Sequence, residues 1–373
     1  MPQPAEEVKF MRRCLEISLR GKGYTAPNPM VGAVIVHRGG ITGEGYHKIY
    51  GDSHAETNAI GSVKTPETLK DSTLYVNLEP CSHFGKTPPC SDLIIKCGIP
   101  RVVIGTADPN PLVSGQGISR LKENGIRVTC GLLETDCRHI NRRFFTWHLH
   151  KRPWIILKWA QSADGFIDLV RAPGSPVGPN WITSKTARIL VHKWRAEEQA
   201  ILAGTNTVLK DNPGLNVRLW SGRDPLRVVI DRSLKLGSQH HVLDNSISTV
   251  VFTTADKTLT DNGQSALTEG TNIRYVPLVF DDAVEMQMLN YLHSQDIQSL
   301  IIEGGAYTLS RFIEKGLWDE ARIFTGQKHF YDGVRAPSLQ GKIVRQLETG
   351  NSYLQFIYNS SSEFIPSQTI NDW

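Results

Sequence analysis

The residues that offer the most chemistry are His54-Ala55-Glu56 and, further on, the stretch Pro80 to Cys90, PCSHFGKTPPC. Together they supply one imidazole, two thiols and a carboxylate. Three readings compete for the second stretch: a metal site, a disulfide, or a tight loop rich in proline and glycine. The six cysteines, at 14, 81, 90, 97, 130 and 137, speak against the disulfide, because no apolar leader opens the chain and stable disulfides belong to oxidising compartments. His54, Cys81 and Cys90 form a three-ligand set for a catalytic Zn²⁺, which leaves the fourth tetrahedral position for water. Zinc lowers the pKa of such a water toward ~7, and Glu56 is the group to carry its proton to a leaving amine. A structural zinc takes four protein ligands, and His83 is available as a fourth, so spacing alone leaves that alternative open. Cys97, Cys130 and Cys137 read as buried or surface thiols.

These residues need elements to hold them. Two positions apart on a regular helix, His54 and Glu56 point to different sides. They address one ion only at a helix start, for which Asp52 and Ser53 are candidate caps. Upstream, Val8, Met11, Leu15 and Leu19 recur at helical spacing and predict an opening amphipathic helix that ends at Gly21 and Gly23. VGAVIVHRGGITGEGYH predicts two strands joined at Gly39-Gly40. HAETNAIGSV, SDLIIKCG and ISRLKENG predict helices, and TLYVNLEP and PRVVIGTADPNP predict strands, with IRVTCG following. The alternation is that of an α/β layered domain.

A second run opens near Arg152 with the strand PWIILKWAQSADG. Short apolar cores recur in AEEQAILAG, DPLRVVID, STVVFTT, IRYVPLV and QSLIIEGG, and helices are predicted in SKTARILVHKWRAEE, VEMQMLNYLHSQD and YTLSRFIEKG. A chain of 373 residues favours two domains, each with its own core. We place them at 1–147 and 151–373, and no internal repeat relates them.

Composition narrows the function classes. With 40% hydrophobic and 21% charged residues, the chain is an ordinary globular protein rather than a disordered one. The formal charge of +4 is small and scattered, which argues against a dedicated nucleic-acid binder. The densest basic stretch, RHINRRFFTWHLHKR from Arg138 to Arg152, reads as a solvated helix and linker, although its interleaved aromatics leave RNA contact open. No run approaches the ~20 apolar residues of a membrane span. A cytoplasmic homo-oligomer with a small-molecule substrate, no nucleic acid and no membrane partner is expected.

HAE followed by LEPCSHxGKTPPC resembles the deaminase half of the family of bifunctional riboflavin-biosynthesis proteins, which join a pyrimidine deaminase to a reductase. Eight residues separate Cys81 from Cys90, where the H-x-E…P-C-x-x-C nucleobase deaminases have two. APNPMVGAVIV, GYHKIYG and TADPNPLVSGQGI agree with the same family, and Phe84 departs from its usual residue. The resemblance implies a cytidine-deaminase-like three-layer domain in which His54, Cys81 and Cys90 ligate zinc and Glu56 shuttles protons. It also implies that Asn28, His47, His83, Lys86, Asp108 and Asn110 hold a phosphorylated pyrimidine. A cation such as Lys86 suits the phosphate. Taken alone, Asn28 and Asn110 beside prolines read equally well as turn residues.

The second half is less explicit. It has no G-x-G-x-x-G, since Gly115 and Gly117 lack a third glycine, so no Rossmann site is indicated. Glu303-Gly304-Gly305 lies between an apolar strand and a helix, where a phosphate site and an ordinary turn are both possible. Lys158 shares a strand face with Trp154 and Ile156, so it reaches solvent or serves a cleft. Asp211-Asn212-Pro213 reads as an Asx-type turn. ILKWAQSADGFID, NWIT, HKWRAEEQAILAGTNTVLKDNPGLNVR, PLRVVIDR and IIEGGAYTLSRFIEKGLWDE resemble the reductase half of the same family, which is similar in fold to dihydrofolate reductase. That implies NADPH and a cleft containing Lys158, Thr183, Arg195, Asp211, Arg218, Glu303, Gly304 and Gly305. Thr183 and Glu303 would lie near the cofactor or ribose, and Arg218 near the substrate phosphate. FIDLVRAPGSPVGPN, between Gly165 and Trp181, is longer and richer in proline than the family spacing, and Asn180 stands where Ser is common, which leaves that loop's cofactor contacts open.

The implied activity is zinc-dependent hydrolytic deamination of 2,5-diamino-6-ribosylamino-4(3H)-pyrimidinone 5′-phosphate, followed by NADPH-dependent reduction of the ribosyl side chain to give 5-amino-6-(5-phosphoribitylamino)uracil. The rivals are another zinc nucleoside or tRNA deaminase fused to a non-reductase domain, and a non-catalytic zinc-stabilised binding protein.

Overall fold

The structure, a computed structural model, describes residues 5–82, 88–111, 113–172, 174–254 and 272–365. Two units compose it, Met1–His150 with Phe364–Trp373, and Lys151–Glu363.

The first unit has strands β1 (Gly32–His37), β2 (Gly40–Tyr46), β3 (Ser72–Leu78), β4 (Arg101–Thr106) and β5 (Arg127–Cys130). Its helices are α1 (Ala5–Ser18), α2 (Ala55–Gly61), α3 (Cys90–Lys96), α4 (Gln116–Glu123), α5 (Glu134–Ile140) and α6 (Arg142–His150). The strands form one sheet in the order β2-β1-β3-β4-β5. β1 is antiparallel to both neighbours, and β3, β4 and β5 run parallel. The hairpin turns on Arg38 and Gly39, both at positive φ, one residue earlier than the expected Gly39-Gly40. Such a turn needs left-handed backbone at both central positions, which glycine adopts without strain.

Strand alternation divides the core. Ala33, Ile35, Leu74 and Val76 pack with Ala59 of α2, Ile94 of α3 and Leu121 of α4. Val34, Val36, Tyr75 and Val103 pack with Met11 and Leu15 of α1 and Ile140 of α5. The result is three layers, helix on sheet on helix. Strands buried on both faces read as continuous apolar runs, as these do.

The basic stretch expected to be solvated is instead turned inward. His139, Asn141 and Arg142 are buried. Asn141 bonds the backbone of Met30 in both directions, accepting at 2.7 Å and donating at 2.9 Å. His139 Nδ1 lies 2.9 Å from the Phe364 carbonyl, and the Phe364 ring packs against Phe145 and under the Arg138 guanidinium. Polar residues that satisfy remote backbone groups look like surface residues in a composition count.

The second unit has strands β6 (Trp154–Gln161), β7 (Phe166–Asp168), β8 (Ala200–Gly204), β9 (Leu226–Ile230), β10 (Thr249–Thr253), β11 (Ile273–Pro277), β12 (Ser299–Ile302), β13 (Glu320–Gly326), β14 (Val334–Arg335), β15 (Lys342–Thr349) and β16 (Ser352–Tyr358). Its helices are α7 (Lys185–Glu197), α8 (Thr205–Asp211), α9 (Val284–Ser294) and α10 (Ala306–Glu314). Nine strands form a sheet in the order β11-β10-β9-β8-β12-β6-β13-β16-β15, and β7 pairs with β14 apart from it. The sheet is parallel from β11 to β13 and closes with antiparallel β16 and β15. β13, β15 and β16 go beyond the strands expected from sequence. One face packs Ile155, Leu157, Leu202 and Phe252 against α9 and α10. The other packs Ile201, Ala203, Val229 and Val251 with Val208 of α8. Among the described residues no helix is long and apolar enough to cross a membrane.

Candidate active sites

In the first unit, β3 runs through Glu79 and Pro80 to Cys81, Cys90 opens α3, and His54 precedes α2. His54 itself occupies the N-cap position, at φ −70 and ψ 165, with no side-chain cap bond. The expected caps Asp52 and Ser53 therefore lie outside the helix start. This placement turns the His54 ring off the end of the axis while Glu56 sits in the first turn, which lets both address one point. His54 Nδ1 is 3.5 Å from Cys81 Sγ and 3.3 Å from Cys90 Sγ. All three ligating atoms lie within 4.8 Å of one another. A tetrahedral zinc with ordinary Zn–N and Zn–S lengths has an N···S edge of about 3.6 Å. The donor set therefore fits zinc in both type and spacing.

The thiols are free and tied together. The Cys90 N–H donates to Cys81 Sγ at 3.3 Å. Hydrogen bonding from the Cys90 thiol, and then from His54, pushes the Cys81 thiol down. The Cys90 thiol goes up through its bond with Cys81 and its burial. The hydrogen bond between His54 and Cys81 raises the imidazole. Glu56 is 3% exposed, and burial, reinforced by the neighbouring Cys81, pushes its carboxyl up to about 7. A carboxyl that titrates near neutrality is matched to picking up and releasing a proton in turn.

Asn28 and His47 join this site. His47 lies edge-on to the His54 ring at 5.5 Å. Its Nδ1 is 3.2 Å from the Ser53 carbonyl and its Nε2 3.1 Å from Asn28 Nδ2. Burial pushes His47 down, so the ring is neutral, with Nδ1 donating to Ser53 and Nε2 accepting from Asn28. Asp108 and Asn110 lie on the loop after β4, where the Asn110 N–H donates to Asp108 Oδ1 at 2.8 Å. His83 and Lys86 lie outside the described residues. Two buried asparagines that sequence reasoning missed hold the Asn28 loop in place. Asn77 accepts from Gly32 N–H at 2.8 Å and donates to the Met30 carbonyl at 3.0 Å, and Asn141 grips Met30 from the other side.

In the second unit Lys158, Arg195 and Glu303 converge where β6 and β12 lie side by side. Arg195 clasps the Glu303 carboxylate with Nε at 3.0 Å and Nη2 at 2.8 Å, and Lys158 Nζ is 3.4 Å from the same group. Burial pushes Glu303 up, but Arg195 and Lys158 overcome it and hold the carboxyl down to about 2. Burial lowers the Lys158 ammonium, with Glu303 opposing. Arg195 Nη1 also donates to the Asn216 carbonyl at 3.1 Å, and Arg218 Nη1 to Asn216 Oδ1 at 2.5 Å. His192, another residue not singled out from sequence, accepts the Arg218 N–H on Nδ1 at 3.1 Å. Burial, then Arg195 and Arg218, push His192 down to about 4.

Asp211 stands in a separate cluster. Arg171, from the long 165–180 loop, donates to Asp211 at 2.7 Å and to Asp168 at 3.1 Å, and Asn180 donates to Asp168 at 2.6 Å. Asn212 ends α8 in left-handed backbone, φ 42. Its side chain bonds the remote Gln239 carbonyl and His241 N–H, so it is a helix stop rather than an Asx turn. Thr183 precedes Ser184, the N-cap of α7, and joins neither cluster among the described residues. Gly304 and Gly305 lead into α10, with Gly305 as its N-cap. A Cβ on Gly304 would press on Thr308 at 3.1 Å and one on Gly305 on Thr207 at 3.3 Å. Bare backbone there leaves the α10 first-turn N–H groups approachable by an anionic phosphate.

With this geometry in hand, residues 153–347 match the RibD C-terminal domain. Residues 4–106 match the cytidine and deoxycytidylate deaminase zinc-binding region. The riboflavin biosynthesis protein RibD of Aquifex aeolicus is 40% identical over 332 residues, which cover 87% of this chain and 88% of that one. That of Escherichia coli is 36% identical, covering 86% and 87%. The crystal structure of a diaminohydroxyphosphoribosylaminopyrimidine deaminase/5-amino-6-(5-phosphoribosylamino)uracil reductase from Thermotoga maritima superposes with a TM-score of 0.82 at 35% identity, over 95% of this chain and 99% of that one. Acinetobacter baumannii RibD gives 0.82 at 31% identity, over 95% and 98%.

Proposed function

The chain belongs to the RibD family of bifunctional riboflavin-biosynthesis enzymes, and from that premise we propose how its residues divide the work. It is a deaminase and a reductase, with a zinc-binding deaminase domain followed by a dihydrofolate-reductase-like domain that uses NADPH. Its substrate is a small phosphorylated pyrimidine.

Deamination breaks the exocyclic C–N bond, forms a C–O bond from water and releases ammonia. His54, Cys81 and Cys90 would hold the zinc, whose Lewis acidity would make hydroxide available near neutral pH. Glu56 accepts the proton of the attacking water and delivers it to the departing nitrogen. Asn28, oriented by neutral His47, keeps its amide oxygen for the base, and Asp108, Asn110, His83 and Lys86 take the ribosyl phosphate end. The observation that carries this half is the nitrogen and two sulfurs within 4.8 Å of one another, with buried Glu56 beside them.

Bound NADPH would supply the hydride that converts ribosyl to ribityl. Lys158, whose ammonium is lowered by burial, hands a proton to the oxygen that leaves the sugar carbon. Glu303 holds Lys158 and Arg195 in register, and Arg195 and Arg218 receive the substrate phosphate. Gly304 and Gly305 open the α10 N-terminus to cofactor phosphate, while Thr183 and Asp211, which stand apart from the Lys158–Arg195–Glu303 cluster, would meet the bound ligands from outside it. A cytoplasmic homo-oligomer is the form we expect, and the small, dispersed charge supports work without nucleic acid, which sedimentation with and without tRNA tests.

Glu56→Gln decides the first half. Zinc retained with deamination lost is the expected result, and unchanged deamination would overturn the assignment. For the second half, the deaminated intermediate must drive NADPH oxidation in the purified protein; none would overturn the reductase roles.

A further inference from the structure

We propose that Glu79 is a positioning residue of the deamination site, one that fixes the loop bearing Asp108 and Asn110 to the segment bearing the zinc ligand Cys81. The proposal rests on the reading that those two residues hold substrate. Glu79 follows β3 directly and is 4% exposed. Its own N–H donates to the Thr106 carbonyl at 3.0 Å, which carries the β3–β4 pairing one residue past the end of β3. Its carboxylate then gathers the connection between β4 and α4. Oε2 accepts from Asp108 N–H at 3.2 Å and Gly115 N–H at 3.0 Å, and Oε1 accepts from Ile118 N–H at 3.1 Å.

These donors are the start of the loop, its end, and the first turn of α4, whose N–H groups have no acceptor inside the helix. Among the described residues no Lys or Arg pairs with Glu79. A buried carboxylate is costly unless hydrogen-bonded, and among the described residues backbone amides are what balance it. Its position therefore dictates theirs. The same junction is close at the backbone level. A Cβ on Gly117 would collide with the Pro80 carbonyl oxygen and press on Glu79 Oε1 at 3.2 Å. Pro80 is the residue before Cys81, so α4 rests against the zinc-ligand segment itself. Inside the loop, Asn110 N–H bonds Asp108 Oδ1 at 2.8 Å, and Val113 and Ser114 N–H bond the Asn110 carbonyl at 2.8 and 2.9 Å. A displacement at Glu79 thus reaches both proposed substrate contacts.

A purely structural cap on α4 would lower stability without separating binding from turnover. The test uses the full-length zinc-loaded enzyme and its aminopyrimidine phosphate substrate, with zinc content and the reductase rate as internal references. Glu79→Gln places an NH₂ group against the amide donors and loses the charge. It is expected to raise the deamination KM about tenfold with kcat changed less than about threefold, zinc content and reductase rate unaltered. Gly117→Ala, which pushes the loop off from the opposite side, is expected to act in the same direction and decides the matter if Glu79→Gln does not fold. Asp108→Asn is the comparator. If it leaves KM unaltered, the substrate-loop reading fails and the proposal with it. If it raises KM while Glu79→Gln and Gly117→Ala do not, the positioning role alone is overturned. Loss of zinc from Glu79→Gln overturns it as well, by making Glu79 a support for the metal ligands.

Discussion

In the first unit the buried carboxyl of Glu56 sits beside two thiols and the His54 imidazole, and burial lifts it to about 7. In the second unit the buried carboxylate of Glu303 lies between Arg195 and Lys158 and is held down to about 2. Both sites bring ionisable groups out of water, where charge must be compensated or neutralised. The cluster in the first unit neutralises with protons, which a divalent cation on the same donors would replace, so its state would follow metal content. The cluster in the second unit carries its compensating cations within the chain, so its electrostatics follow the fold and the pH.

Metal removal breaks the comparison most severely. Chelation, or Cys81→Ala, is expected to cut deamination at least ~1,000-fold, since zinc supplies several kcal/mol of transition-state stabilisation. NADPH oxidation with the deaminated intermediate should persist at the untreated rate. Substantial deamination by a chain shown to be metal-free would show that the first site is also self-sufficient.

The complementary change removes the carboxylate of the second site. Glu303→Gln leaves Arg195 and Lys158 buried side by side with their shared partner neutral. Breaking a buried pair this way costs about 3–5 kcal/mol, so the second unit should melt at markedly lower denaturant. Reduction should fall by about 100-fold, roughly 3 kcal/mol at the transition state, with zinc content and deamination unaltered. A variant that reduces at the native rate would show that the cluster is structural and the hydride chemistry lies elsewhere.

The two sites differed as much in legibility as in electrostatics. A metal demands particular donors, so His54, Cys81 and Cys90 announce themselves by residue type, and the eight-residue spacer marks the family. Lys158, Arg195 and Glu303 are common residue types. Glu303 lies 145 positions from Lys158 and 108 from Arg195, and no local pattern joins them; Lys158 and Glu303 drew notice singly, and only the family resemblance put the three in one cleft. Glu79, Asn77 and Asn141 stayed hidden for a related reason. Their partners are backbone groups of remote segments, Met30 lying 111 positions from Asn141, and backbone groups leave no trace in residue identity. Arg142 and His139 looked like solvent-facing basic residues because composition records charge and not direction. β13 was missed because Glu320 and Arg322 interrupt its apolar run although both are buried. β15 was missed because it is largely exposed.

A smaller effect sharpens the claim that pH governs the second site. His192 is held neutral, its pKa down at about 4 against an ordinary 6.5, because burial and the two arginines disfavour a proton on the ring that accepts from Arg218. Between those pH values the unfolded chain binds a proton that the folded unit refuses. The stabilisation is therefore complete above pH ~6.5 and is lost as pH falls toward ~4, by about 2 kcal/mol near pH ~5. Glu303 adds a second loss of the same sign at lower pH, as its folded value lies below that of a free carboxyl. His192→Asn sets an amide oxygen where Nδ1 accepts and cannot titrate. Chemical denaturation of this variant from pH ~2.5 to ~7 should keep the Glu303 arm and lose the upper one, with the reductase KM at neutral pH nearly unchanged. An upper arm that persists would assign the titration to another group. A KM that rises sharply at neutral pH would mean that the imidazole holds the Arg218 loop by more than its single acceptor.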